Sequence, residues 1–197
     1  MSSVDLKQTD EHWMRHALAL ADRVAVMREG QIEQLGTPED IFLRPASRFV
    51  AEFVGFDNIL AGEVLASDAE GLHFQPDGWA VPIIAPANPA LPVGSRGHLA
   101  FRSSNLKILA EQPLRGNGFA ATLQAINYLG EYFQGELSVF GSELLGRFPD
   151  HPGAWLGVSG GRVADHPLFV GIEPTDLVIL PETQAERVAP QAREVAA

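Results

Sequence analysis

The segment from Ala17 to Gly55 constrains the fold most, because its hydrophobic periodicity changes four times with a turn signal at each change. Val24 to Arg28 is an almost continuous apolar run, typical of a strand with little exposed face. Glu29 and Gly30 predict a hairpin turn after it, because glycine readily adopts the positive φ that such turns require. Gln31 to Leu35 alternates polar and apolar residues, and it is therefore predicted to form the return strand.

Two short helices are predicted after this hairpin. Thr37 supplies a hydroxyl N-cap, Pro38 occupies the first helical position, and the acidic residues that follow favour the positive end of the helix dipole. Pro45 ends that helix, and Ser47 can cap the second. The second helix is predicted to bury an apolar stripe before Gly55 ends it. The stripe comprises Phe49, Val50, Phe53 and Val54.

The stretch LADRVAVMREGQIEQLGTPEDIF, followed by FVAEFVG, resembles the end of the ATP-binding subunit of bacterial ABC importers, a family that serves maltose, polyamines, ferric iron, molybdate and similar solutes. The resemblance implies the end of a nucleotide-binding domain that leads into a regulatory TOBE domain of OB-like barrels. FVGFDNILAGEV is similar to the first strand of that domain. AFRSSNLKIL stands where the family usually has Arg-Pro-Glu; Arg102 matches, while Ser103 and Ser104 replace the other two residues.

The chain after Asn58 shows short apolar runs between turn signals, as expected for small barrels. The first set of predicted strands is Ile59–Ala66, Leu72–Phe74, Ala80–Ile84, Gly97–Phe101 and Leu106–Leu109. The second set is Phe119–Leu129, Phe133–Val139, Glu143–Phe148, Trp155–Val158, Leu168–Ile172 and Leu177–Leu180. The predicted fold is therefore mainly β (α+β overall), with two OB-like sub-barrels preceded by a helix, a β-hairpin and two short helices. No sequence repeat between the two sets is visible.

Three regions follow from this pattern. Residues 1–57 are interpreted as the end of an ABC ATPase domain, 58–181 as the TOBE or OB-like regulatory domain, and 182–197 as a flexible tail, because the last residues are polar or small.

His12 falls at the position of the family's switch histidine, which contacts the γ-phosphate of ATP, although its neighbours differ from the family's. The alternative is an ordinary helix start, with Trp13, Met14 and Ala17 on its apolar face. His12 and His16 are spaced to share a metal on one helix, but no third ligand is evident, so no metal site is expected.

Nucleotide hydrolysis in this family needs a glycine-rich phosphate loop that ends in Gly-Lys-Ser/Thr. The only lysines are Lys7 and Lys107, each preceded by leucine, and no apolar strand ends in the Asp-Glu pair that would hold magnesium. The Walker A, Walker B and signature motifs are therefore absent from this sequence. We expect no enzymatic activity and no cofactor, with ATP-Mg bound only if a complementary ATPase domain is supplied.

The charge and residue composition of the chain limit the kinds of partner that we expect it to bind. A formal charge of −11 argues against nucleic acid and anionic membrane surfaces, because both attract basic faces. The chain has no cysteine, no long apolar run and no signal-like N-terminus. We therefore expect no membrane insertion and a cytoplasmic location, with attachment to the inner face of the plasma membrane through transporter subunits.

Two motifs in the second half resemble catalytic signatures. Gly157 to Gly161 fits both the nucleophile elbow, with Ser159 as nucleophile, and the ABC signature, but neither has the flanking elements that its chemistry needs. A loop with a turn at Gly160 and Gly161 is predicted instead. The Asp-His-Pro triplets at 150–152 and 165–167 are predicted to be turns, with a metal or pH role of the histidines as the alternative.

A pocket for an anion or solute effector is the remaining candidate site. Arg102, Tyr128 and Arg147 are the residues proposed to line it. The alternative is that Tyr128 packs in the barrel and both arginines are solvated.

The leading hypothesis is a non-catalytic regulatory and dimerisation module of an ABC importer. A homodimer, or a complex with ATPase and membrane permease subunits, is expected because an isolated hairpin is only marginally stable. The alternatives are a stand-alone OB-fold protein that binds a small solute or oxyanion, and a hydrolase that uses Ser159. The sequence does not select the transported solute.

Overall fold

The computed structural model describes residues 21–111, 113, 116–149 and 161–182, and only the backbone of 161–164. In these ranges the chain is mostly β with two short helices, which confirms the predicted fold class. The chain divides into two compact units between Val54 and Gly55. Each unit has its own strands.

The first unit contains the predicted hairpin. Strands β1 (Val24–Arg28) and β2 (Gln31–Gly36) pair antiparallel, and their register shifts between Val26 and Met27. Glu29 and Gly30 both have positive φ, 50° and 81°, as in the two-residue turns that match the twist of paired strands. The hairpin prediction is confirmed.

Helices α1 (Pro38–Leu43) and α2 (Arg48–Phe53) follow, and both predicted caps are present. Thr37 forms a capping box with Asp40, whose backbone N–H donates to the Thr37 hydroxyl at 3.2 Å. Ser47 Oγ accepts a hydrogen bond from the N–H of Val50 at 3.3 Å. The side chain of Gln34 connects β2 to the segment between the helices, because it donates to Arg44 O (3.0 Å) and accepts from Ala46 N (2.8 Å).

The prediction that β1 has little exposed face is wrong. Val26 is buried at 2% exposure, whereas Met27 and, on β2, Ile32 are 56% and 59% exposed. Phe53 is also 48% exposed, so the predicted stripe of α2 is only partly buried. A two-stranded ribbon has two faces, and here only the face that carries Val26 is covered.

The second unit contains ten strands in the part of the chain that the structure describes. They are β3 (Asn58–Ser67), β4 (Leu72–Pro76), β5 (Ile83–Ala85), β6 (Arg96–Phe101), β7 (Lys107–Leu109), β8 (Asn117–Tyr128), β9 (Phe133–Val139), β10 (Ser142–Phe148), β11 (Gly161–Ile172) and β12 (Val178–Pro181). Short 3-10 helices, Ser103–Asn105 and Pro174–Asp176, precede β7 and β12. Sheet 1 has the order β5-β4-β3-β6-β12, and sheet 2 has the order β10-β9-β8-β11-β7. Every pairing is antiparallel.

The two sheets exchange their last strands, so the predicted grouping into two consecutive sets is wrong. Strand β7 pairs with β11 of sheet 2, with Leu109 opposite Phe169. Strand β12 returns to sheet 1, where Ile179 lies opposite Leu99. Both strands are short and follow a 3-10 helix, and their local sequence is equally compatible with pairing in either sheet. One apolar core, which includes Phe74, Leu99, Leu123, Leu137 and Val170, is built from both sheets.

The strand orders also reveal a repeated strand arrangement, which is not visible as a sequence repeat between the two predicted sets. Strands β3, β4, β5 and β6 occupy the positions in sheet 1 that β8, β9, β10 and β11 occupy in sheet 2. NILAGEVLA of β3 then aligns with NGFAATLQA of β8, and FRSSNLKIL aligns with IEPTDLVIL. Bulges fall at equivalent places, between Val64 and Ala66 and between Leu123 and Ala125. Few identities remain, because each position requires only a residue type.

The prediction of turns at Gly161 and at 165–167 is wrong. Gly161 begins β11, and Asp165, His166 and Pro167 lie inside this strand. The register of β11 against β8 shifts between Arg162 and His166, which is where a strand tolerates a nearby proline. Strand β5 begins at Ile83, later than the predicted Ala80. The predictions for Trp155–Val158, for Ser159 and for the triplet at 150–152 lie outside the described residues.

Candidate functional site

Arg102 lies directly after β6, where the chain leaves sheet 1. Its guanidinium carbon is 4.1 Å from the centroid of the Phe56 ring, a cation–π contact. Burial lowers the pKa of Arg102, and the carboxylate of Asp57 acts in the opposite direction. Arginine stays protonated at neutral pH, so the site retains a partly buried positive charge.

Asp57 organises the segment that follows Arg102. Its carboxylate accepts hydrogen bonds from the N–H of Ser103 at 2.6 Å and from the Ser103 hydroxyl at 2.5 Å. The ABC importer motif that this segment resembles has proline at this position, and a proline could donate neither bond. Ser103 connects the first 3-10 helix to Asp57, and that helix lies against β10.

Arg147 lies on β10, the strand that the first 3-10 helix contacts. Its guanidinium carbon is 3.6 Å from the centroid of the Tyr132 ring. Two residues earlier, Leu145 exchanges backbone hydrogen bonds with the Asn58 side chain, at 2.9 Å and 2.7 Å. These bonds hold β10 against the start of β3. We call this region the arginine corner; it comprises Phe56, Asp57, Arg102, Ser103, Tyr132 and Arg147.

Tyr128 ends β8 and is separated from β10 by β9. Its side chain is 63% exposed, its ring lies 4.9 Å from that of Phe133, and its hydroxyl donates to the carbonyl of Gly130. The structure thus brings the elements that carry Arg102 and Arg147 into contact and leaves Tyr128 two strands away from Arg147. His12 lies outside the described residues.

Arg102 and Arg147 are the cationic side chains of the arginine corner, and Asp57 is its carboxylate. A guanidinium group can donate hydrogen bonds to a carboxylate or an oxyanion. No cluster of three His, Asp or Glu side chains suitable for a metal ion occurs in the ranges that the structure describes. None of the helices in those ranges is long and apolar enough to span a membrane.

A second concave region was missed by sequence reasoning. A cavity of about 850 Å³ lies on the face of sheet 2 that points away from the core, and we call it the outer groove. Its lining is Ile108, Leu109, Ala110, Ala120, Ala121, Thr122, Ser138, Phe140, Gly141, Pro167, Leu168 and Phe169. No sequence signal could have found it, because β7 reaches this sheet only through the strand exchange.

No family model matches the chain. Among curated proteins, the chain is 37% identical over 135 residues to the spermidine/putrescine import ATP-binding protein PotA 1 of Pseudomonas aeruginosa, covering 68% of this chain and 35% of the relative. It is 31% identical over 188 residues to PotA of Frankia alni, covering 88% of this chain and 39% of the relative. The putrescine transport ATP-binding protein PotG of Escherichia coli is 31% identical over 61% of this chain and 32% of the relative. The chain thus spans about a third of the length of the relatives it matches.

Among solved structures, the cytoplasmic molybdate-binding protein ModG matches with a TM-score of 0.53 at 13% identity, covering 64% of this chain and 96% of that protein. At this identity the match concerns the fold alone. It confirms the predicted OB or TOBE-like architecture of two curled sheets.

Proposed function

We propose that this chain is a non-catalytic regulatory and dimerisation module of an ABC importer ATP-binding protein. The observation that carries the proposal is the alignment of 88% of this chain, from both units, with a protein of that class that is more than twice as long. Such a module takes part in the import of a solute without hydrolysing ATP itself. A polyamine is the proposed solute class, because the similar proteins are a spermidine/putrescine import protein and a putrescine transport protein.

The proposed partners and location follow from the same class. The module forms a homodimer and works with an ATPase domain and membrane permease subunits, and it resides in the cytoplasm at the inner face of the plasma membrane. The exposed apolar side chains of the first unit, Met27, Ile32 and Leu35, fit a surface that docks on another domain. ATP-Mg would be bound only in such a complex, with His12 as the proposed contact.

The arginine corner is the proposed effector site of the module. Arg102 and Arg147 supply two cations in a chain that is otherwise acidic, with a formal charge of −11. An anionic solute would be held here by direct hydrogen bonds from these guanidinium groups, because the net negative charge of the chain does not attract anions. Tyr128 is proposed as a further contact at the margin of this site.

The first experiment measures ATP hydrolysis, ATP binding and mass by light scattering on one sample of the full chain. We expect no magnesium-dependent hydrolysis and a particle of twice the 21.3 kDa chain. Hydrolysis that requires magnesium and is abolished by His12→Ala would refute the non-catalytic assignment. A monomer that shows a saturable rise in Tm with one oxyanion would favour the stand-alone binding protein instead.

The anion site is tested with Arg147→Gln. This change should abolish any rise in Tm produced by sulfate, phosphate or a dicarboxylate, because it removes one of the two cations. Arg23→Gln is the matched control. It also removes one positive charge, but Arg23 lies in the first unit. Equal losses in both variants would show that only net charge matters and would overturn the site.

A further inference from the structure

The outer groove has a floor formed by β8 and β11. Residues on these strands alternate between the core and the groove: Ala121 and Leu168 face the core, whereas Ala120 and Phe169 lie opposite each other on the groove face. Strand β7 forms one wall through Leu109, and the turn between β9 and β10 forms the other. A volume of about 850 Å³ is within the range of ordinary small-molecule sites.

Among the residues that the structure describes, the lining of the outer groove carries no charged side chain. Its side-chain polar groups within this set are the hydroxyls of Thr122 and Ser138, which lie directly opposite each other on β8 and β9. Neither hydroxyl has a hydrogen-bond partner within the described ranges, so both can serve a ligand. A charged ligand would lose hydration here without gaining an ionic partner, whereas a neutral one would not.

Phe140 makes the rim of the outer groove rigid. Its φ is 49°, a left-handed conformation that is unfavourable for a bulky residue, and its side chain is 40% exposed. The ring is held by Trp79 and Phe119, with centroids at 5.3 Å and 6.1 Å. Trp79 is fixed in turn, because its indole N–H donates to Ser142 Oγ at 3.0 Å. Phe140 and Gly141 have φ values of 49° and 84°, close to those of Glu29 and Gly30, so this conformation belongs to the two-residue turn between β9 and β10.

We propose that the outer groove binds a small, uncharged, amphipathic solute. Its apolar part packs between Leu109 and Phe169, beside the turn at Phe140, and a hydroxyl or amide group exchanges hydrogen bonds with Thr122 and Ser138. The site is separate from the arginine corner, differs from it in ligand charge, and does not depend on a role in transport.

Three probes of similar shape test the ligand class: phenylethanol, phenylethylamine and phenylacetate, which are neutral, cationic and anionic. Each is titrated into the full chain and followed by two-dimensional amide NMR spectra. We expect saturable shifts for phenylethanol, largest at Ala120, Thr122, Ser138 and Phe140. Both charged probes should bind about tenfold more weakly or not at all, because of their uncompensated desolvation.

Ala120→Leu is the variant that fills the outer groove, and we expect it to weaken phenylethanol binding about tenfold or more. Ala61→Leu is the matched control, because Ala61 occupies the equivalent position on β3 and is also exposed. Thr122→Val keeps the shape and the strand preference but removes one hydroxyl, and should weaken binding about fivefold. It also keeps the test decisive if Ala120→Leu does not fold.

Three results would overturn the proposal. The first is the absence of saturation by phenylethanol up to its solubility limit. The second is saturation that Thr122→Val and a folded Ala120→Leu leave unchanged. The third is equal binding of all three probes, which would indicate a nonspecific apolar surface. None of these results bears on ATP hydrolysis or on dimer formation, so the outer groove and the proposed function can fail independently.

Discussion

Asn58 and Asn117 occupy equivalent positions in the two sheets, and each holds the edge strand of the opposite sheet. Asn58, at the start of β3, exchanges two hydrogen bonds with Leu145 of β10. Asn117, at the start of β8, exchanges two hydrogen bonds of 2.7 Å with Ile84 of β5. Both side chains are buried, at 3% and 6% exposure. The side-chain amide thus supplies the donor and the acceptor that a further strand would have supplied.

Removing either asparagine should destabilise the second unit. Asn58→Ala and Asn117→Ala each leave a backbone N–H and a carbonyl without partners, and we expect each to lower the free energy of unfolding by about 2 to 4 kcal/mol. Urea denaturation followed by circular dichroism measures this. Asn127→Ala is the control, because Asn127 is exposed near the end of β8 and its loss should change the stability by less than about 0.5 kcal/mol. A similarly small effect of Asn58→Ala would show that the bonds to Leu145 do not hold the sheets together.

The backbone of Phe140 predicts an unusual order of stability. Both Phe140→Ala and Phe140→Gly lose the ring contacts with Trp79 and Phe119. The alanine variant keeps the free-energy cost of holding a side chain at φ 49°, whereas glycine removes that cost. We expect the glycine variant to be more stable than the alanine variant by about 1 kcal/mol, and both to be less stable than the wild type. Thermal unfolding of the three proteins checks the order. An alanine variant at least as stable as the glycine variant would contradict the strained turn.

The capping box of α1 should matter to the first unit alone. Thr37→Ala removes the acceptor of the Asp40 N–H, and we expect a loss of about 1 kcal/mol in the local stability of this unit. Amide hydrogen exchange in Pro38–Leu43 measures it. Thr37→Ser preserves the hydroxyl and should protect the helix almost as well as threonine. If exchange is unchanged in Thr37→Ala, the cap does not limit opening of α1.

The pair formed by Asp77 and Arg96 predicts a specific pH dependence. Two hydrogen bonds of 2.7 Å from Arg96 lower the pKa of Asp77 below its usual value of 3.8. A carboxylate with a lowered pKa stabilises the fold above its unfolded pKa, and this contribution is lost as the pH falls through the folded pKa. Asp77→Asn should therefore reduce stability above about pH 4 and approach the wild type in more acidic solution.

The size of that effect is limited by solvent. The two side chains are 56% and 44% exposed, so we expect less than about 1 kcal/mol at neutral pH. Urea denaturation across a pH series measures it, and the comparison is repeated in an Arg96→Gln background. There Asp77→Asn should have almost no effect; an undiminished effect would assign the pH dependence to another partner of Asp77.

Local features of this chain were predictable from the sequence. The turn at Glu29 and Gly30, the caps at Thr37 and Ser47 and strand β9 were predicted correctly, because each depends on residues only a few positions apart. The Asp-His-Pro triplet at 165–167 shows where this fails. Those residues favour a turn, but pairing of β11 with β8 places them in a strand, and tertiary pairing commonly overrides such weak local preferences.

The candidate sites were less predictable than these local features, because tertiary structure decides which residues come together. Arg102 and Arg147 were identified from residue type and from the family resemblance, but the contact of their elements follows from packing of β10 on the first 3-10 helix. The outer groove had no sequence signal at all. Its floor and one wall come from β8, β11 and β7, and these strands become neighbours only when the sheet forms.

The sequence by itself determined a mainly β chain, a capped pair of short helices and the approximate bounds of most described strands, because backbone preferences and hydrophobic periodicity act over a few residues. Only the tertiary structure decided which sheet β7 and β12 join, how Asn58 and Asn117 bridge the sheets, and that the two halves repeat each other. A strand of three or four residues pairs equally well with many edges. Its position is therefore decided by the common core that both sheets bury and by the buried amides that must find partners.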